Sequence, residues 1–172
     1  MIKNPLRETI MVKSQPTAVY TFKVALKYSP DIWRLIEVPG NQTLEDLHFA
    51  IFEAFERYDE HLYSFYFEPP GGYRGRRRPS RNAVEFTHPY AAEEADPWDG
   101  PAPHDASRTT IDSLNLHRGR KFEYLFDFGD SWWHEITVVK TDGHRRRGRY
   151  PRIIEKHGKS PPQYPDYDEG IC

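Results

Sequence analysis

Five polar residues, His48, His61, Asp127, Asp130 and His134, lie inside or beside strongly apolar runs of the chain. Imidazole and carboxylate groups are the ligand set of zinc and other divalent ions, and the same groups do general acid and base work. Their spacing argues against a preformed metal centre, because there is no HExxH, no CxxC and no close pair of ligands to fix a geometry. A buried histidine bonded to a carboxylate or to backbone, and an aspartate capping a tight turn, account for the same residues structurally. That reading is preferred over a divalent-metal site or a hydrolase, and no cofactor is expected. Nucleophilic chemistry has even less to stand on. Ser131 precedes His134 by three residues, but no GxSxG elbow accompanies it, and Cys172 has no neighbour that would lower its thiol pKa.

Two arginine runs pose a different chemistry. Arg74, Arg76, Arg77, Arg78 and Arg81 form one, and Arg145, Arg146, Arg147 and Arg149 the other, with Tyr73 and Tyr150 adjacent. Converging on one surface, they would suit phosphate contacts and base stacking. Against this, 24 basic and 26 acidic residues leave a net charge of −2, no nucleic-acid reading motif is present, and Glu93, Glu94, Asp96 and Asp99 partly balance the first run. Solvated loops are therefore preferred, and nucleic-acid binding is the second reading. Trp132 and Trp133 are adjacent in an expected strand and so point to opposite faces, which leaves one of them as an anchor for a partner. The function read from these residues is a non-catalytic interaction or binding module with a protein partner.

The elements that position these residues follow from periodicity. Tyr20, Phe22, Val24, Leu26 and Tyr28 alternate with polar residues, predicting a strand over 18–28, and Ile32 to Val38 returns antiparallel to it. Thr43 and Asp46 form an N-terminal cap for a helix over 44–58, with Leu44, Leu47, Ile51, Ala54, Phe55 and Tyr58 as its apolar stripe. His48 lies on that stripe and should face the sheet. A third strand is expected over 62–67. Phe122, Tyr124, Phe126 and Phe128 predict a strand over 121–128, turning at Gly129, Asp130 and Ser131 into a partner over 132–140.

Between Pro69 and Ser107 the pattern fades into a Gly/Pro/Arg stretch and an acidic, Pro-rich one. This is read as a poorly ordered insertion with a short strand near Val84 to Thr87. Thr110 to Leu116 reads as one helical turn, with Ile111 and Leu114 inward, and after about 150 an extended tail wraps the surface. The 172 residues suit one domain with a ring-rich core, given 37% hydrophobic and 15% aromatic content. With no long apolar segment, no membrane partner is expected and the chain is read as soluble and cytoplasmic.

Several words resemble one family. Trp33 and Arg34, TLEDLH, HLYSF, YLFDFGDSWWHEI and YPRIIEKHGKSPPQ are similar to the root-inducing (Ri) plasmid ORF-three-like family, an uncharacterised group often found near mobile elements. Family members often carry a second histidine where this chain has Tyr63, and an acidic residue, a cysteine and glycines where it has Gln163, Tyr164 and Pro165. Both departures weigh against a metal or catalytic site at those positions. The resemblance implies a ββαβ start like the ubiquitin-like β-grasp, with further strands added; the elements read from periodicity agree with it and predict an α+β fold, a mainly antiparallel sheet with one long helix across it.

Overall fold

A computed structural model of the chain describes residues 17–72 and 78–164. β1 (Val19–Leu26) and β2 (Ser29–Pro39) form an antiparallel hairpin, followed by α1 (Leu44–Ala54) and β3 (Tyr63–Phe67). Next come β4 (Val84–Thr87), the short α2 (Pro89–Glu93), β5 (His104–Asp105) and two 3₁₀ turns at Ala106–Arg108 and Asp112–Leu114. The chain then enters β6 (Lys121–Phe126), β7 (Trp132–Gly143) and β8 (Arg152–His157). All eight strands join one sheet in the order β5-β4-β3-β6-β7-β1-β2-β8. Every pairing is antiparallel except β4 with β5. The fold is therefore α+β, an open mixed sheet that is mostly antiparallel, with a short helix on one face.

Alternation produces the core. Tyr20, Phe22, Val24 and Leu26 of β1 and Phe122, Tyr124 and Phe126 of β6 turn inward, where they meet Tyr63, Phe65 and Phe67 of β3 and Ile136 and Val138 of β7. α1 covers them with Leu44, Leu47, Ala50, Ile51 and Ala54. Its start is fixed by a capping box: the Asp46 N–H donates to the Thr43 hydroxyl at 3.2 Å, and the Thr43 N–H donates to the Asp46 carboxylate at 2.8 Å.

The helix stops at Ala54, short of the expected 58, because Glu56 takes a left-handed φ of 57°. That break drops Phe55 and Arg57 into the core side while Tyr58 stays 68% exposed. Other expectations also shift. Phe128 does not continue the inward row of β6, since Asp127 at φ 59° turns the chain first and leaves Phe128 43% exposed. The 69–107 stretch is not featureless, as β4, α2, β5 and a 3₁₀ turn lie within or at its end. The turn expected over 110–116 is the 3₁₀ turn at 112–114, with Ile111 buried. The tail after 150 adds an edge strand, β8, beside β2. The ββα opening is present, but the strand beside β1 on its other side is the antiparallel β7. No helix among the described residues is long and apolar enough to cross a membrane.

Candidate functional site

The five polar residues fall into separate environments. His48 on α1 is buried, with Nδ1 2.7 Å from the Tyr124 hydroxyl and its ring stacked on Tyr63 at 3.7 Å between centroids. Burial, assisted by the charge of His88, pushes its pKa down to about 3, so it is a neutral ring serving packing and one hydrogen bond. His134 on β7 is 1% exposed and its Nδ1 donates to the Trp132 carbonyl at 2.9 Å. Burial, then the nearby Arg57 cation, lowers its pKa to about 3 as well. Both rings flank Tyr124, whose own hydroxyl burial holds well above the usual phenol range.

His61 and Asp127 do come together, at the surface end of the sheet. His61 Nε2 lies 2.8 Å from the Tyr164 hydroxyl, 3.5 Å from Asp127 and 3.7 Å from Asp59. Yet Asp127 is committed to the turn, its Oδ1 accepting the N–H groups of Gly129 at 3.0 Å and Asp130 at 3.2 Å. Asp130 is exposed and apart from the histidines' ring contacts. Ser131 sits at φ 57° with its hydroxyl on the Phe128 carbonyl at 3.4 Å, a turn residue bonded to backbone rather than to a base. Among the described residues, no group of three or more His, Cys, Asp or Glu is placed to hold a metal ion.

A broad concavity lies on the sheet face opposite α1. Tyr66 of β3, Leu125 of β6 and Trp133 of β7 contribute to its floor, with the Tyr66 and Trp133 rings 5.7 Å apart. Its walls come from the Arg78–Glu85 segment, the Trp98–His104 segment and Phe128, and its volume is about 1170 Å³. Beside the floor, Lys27 places its ammonium 5.4 Å over Trp133 and pairs with the buried Glu123. Burial raises the Glu123 carboxyl while Lys27 opposes that shift. Both signs of charge occur on the walls: Arg78 and Arg81 against Glu85 and Asp99. Trp98 is 93% exposed there.

Of the arginine runs, Arg78 and Arg81 line this groove, and Arg74, Arg76 and Arg77 lie outside the described residues. Arg145, Arg146, Arg147 and Arg149 follow β7 at its far end and do not line the groove. Arg145 stacks over Tyr150 at 5.6 Å, and the Arg146 N–H donates to the Tyr150 hydroxyl at 3.1 Å. The tryptophans divide as alternation requires. Trp132 faces the α1 side against Arg57, and Trp133 faces the groove; both are half-buried. Sequence reasoning missed Arg57, Arg34 and the Lys27–Glu123 pair. Nothing local marks a cation for burial when its neighbours come from remote elements.

Comparison with known proteins places the chain in a family. The family model described as plasmid pRiA4b ORF-3-like protein matches residues 18–166. The uncharacterized protein y4hQ of Sinorhizobium fredii (strain NBRC 101917 / NGR234) is 29% identical over 154 residues, which is 85% of this chain and 66% of that one. The chain thus spans just under two thirds of that relative's length. The crystal structure of MM3350, a protein of unknown function from Methanosarcina mazei Go1, matches with a TM-score of 0.66 and 26% identity, over 88% of this chain and 76% of that one.

Proposed function

Since this chain belongs to the plasmid pRiA4b ORF-3-like family, whose description assigns no activity, we propose from its geometry that it is a non-catalytic binding module seating an extended segment of a protein partner in the groove opposite α1. The observation that carries this reading is the Tyr66–Trp133 ring pair at the groove floor between walls of both charge signs. Half-buried aromatic rings are the residues that anchor interfaces, because they desolvate a large area at little cost in rotamer freedom. Mixed charge suits a polypeptide, whose side chains bring either sign, and opposes a phosphate strand at Glu85 and Asp99. A volume of about 1170 Å³ also exceeds the usual range for small-molecule sites, roughly 300–1,000 Å³. A cytoplasmic location, an association with mobile elements and a ubiquitin-like kinship of the ββα opening belong to the same proposal.

The test is selection of a random peptide library against the purified protein. Enriched peptides should share an apolar or aromatic anchor with a carboxylate nearby, and should lose binding to Trp98→Ala and to the Arg78→Glu, Arg81→Glu double variant. These side chains are exposed or at a wall, so folding should be unaffected. Peptides that bind the variants equally well would remove the groove from the reading. Single-stranded nucleic acid is the second reading, favoured by stackable rings next to Arg78 and Arg81. A gel shift at about 50 mM salt that vanishes near 200 mM would replace the protein partner by that one.

A further inference from the structure

On the opposite side of the sheet from the groove, and independently of it, we propose that Arg57, Trp132 and His134 form a binding site for an oxyanion group, a phosphate or a carboxylate. Arg57 is 6% exposed, and its Nη1 donates to the Pro161 carbonyl at 2.9 Å. Its Nε and Nη2 atoms are buried with no partner among the described residues, and so are Trp132 Nε1 and His134 Nε2. Together these make up all but one of the buried side-chain polar atoms without a partner among the described residues, the other being Gln42 Oε1. They occupy one locality. The guanidinium lies 4.0 Å over the Trp132 ring, and His134 follows on the same face of β7 with its Nδ1 on the Trp132 carbonyl. The Arg57 charge also acts on His134.

Chance does not make this arrangement cheap. A buried guanidinium needs a counter-charge, and among the described residues no carboxylate lies within ion-pair distance of Arg57, although Glu56 is its chain neighbour. A water molecule would satisfy one or two N–H groups and leave the charge uncompensated. Nε and Nη2 are the side-on fork that matches two oxygens of a carboxylate or phosphate, and Trp132 Nε1 adds a third donor. His134 separates the two sources. Its Nδ1 hydrogen is used on the backbone, so a neutral ring presents a lone pair at Nε2. Hydrogen phosphate carries an O–H to donate there. A carboxylate does not, and its binding must protonate Nε2 instead. The groups facing His134 are Arg57 from beyond the end of α1 and Tyr124 from β6. A small hollow of about 250 Å³ at the end of the sheet, lined by Trp132, Trp133 and Pro161 with Leu26, Tyr28 and Asp130, borders the Trp132 ring on which Arg57 stacks.

The experiment titrates the full chain with inorganic phosphate and, separately, with acetate at pH 6, 7 and 8, reading melting temperature and tryptophan fluorescence against sodium chloride of matched ionic strength. A saturable rise with either anion, beyond that in chloride, is expected. Phosphate binding that persists at pH 8 identifies the phosphate source, while acetate binding that weakens about tenfold per pH unit identifies the carboxylate. Trp132→Phe keeps an aromatic ring under Arg57 but removes the indole N–H along with the fused ring, so it should weaken the anion about five- to tenfold. Arg57→Lys keeps the charge without the fork and should abolish the saturable response; should that variant not fold, the wild-type titration and Trp132→Phe decide. Responses no larger than with chloride, or an unchanged affinity in Trp132→Phe, would overturn the site.

Discussion

His48 and His134 show what a polar residue in an aromatic core is for. Each is held neutral by burial, at a pKa of about 3, whereas in the unfolded chain it titrates near the usual 6.5. From pH 6.5 down towards 3 the unfolded chain therefore binds protons at two sites that the folded chain refuses, so acid removes stability that is fully present above pH 6.5. The expected slope reaches about 2.7 kcal/mol per pH unit for the two rings together, and His48→Gln should roughly halve it. Urea titrations between pH 8 and pH 5, above the range where carboxylates dominate, provide the check. A stability that stays level across that window would mean that the rings are accessible to protons.

At the scale of elements, Arg34 matters most among the buried charges. It is 2% exposed, and its Nε donates to the Ala54 carbonyl at the end of α1 at 2.8 Å. Its Nη1 reaches the carbonyls of Trp33 and His157 at 2.8 Å and of Gly158 at 3.1 Å. One side chain thus ties the helix end, β2 and the edge strand β8 together, and its guanidinium packs over the Phe55 ring at 4.9 Å. Arg34→Met keeps the apolar stem but orphans those carbonyls, and should cost about 3 kcal/mol. Hydrogen exchange in residues 152–157 should accelerate more than in β1. Equal protection of β8 in the variant would show that the strand pairing alone holds that edge.

For the whole molecule, β1 and β7 are adjacent interior strands of the sheet and come from nearly opposite ends of the described chain, pairing Thr21 with Lys140 and Val24 with Ile136. Contacts that distant close late, so refolding should fall in the millisecond-to-second range of sheet-rich domains rather than in microseconds. Amides of β1 and β7 should exchange only by global unfolding, and those of the edge strands β5 and β8 faster. Protection at β8 equal to that at β1 would contradict this gradient.

Much of this was already legible in the chain. The β1–β2 hairpin, the Thr43 cap, the strand at 63–67 and the β6–β7 hairpin all follow from local periodicity and turn chemistry, which act over a few residues and so are written in neighbouring letters. The inward turn of His48 and the division of Trp132 and Trp133 between two faces follow in the same way. The end of α1 at Ala54, the recruitment of residues 152–157 as a strand, and the burial of Arg34 and Arg57 are decided elsewhere. Each depends on carbonyls, rings or strand edges contributed by segments remote in sequence, such as Pro161 for Arg57 and β2 for β8. The same holds for the groove, where rings from β3 and β7 meet arginines from the segment before β4. Side-chain type and spacing determine which face a residue takes, but only the assembled sheet determines which charges share that face.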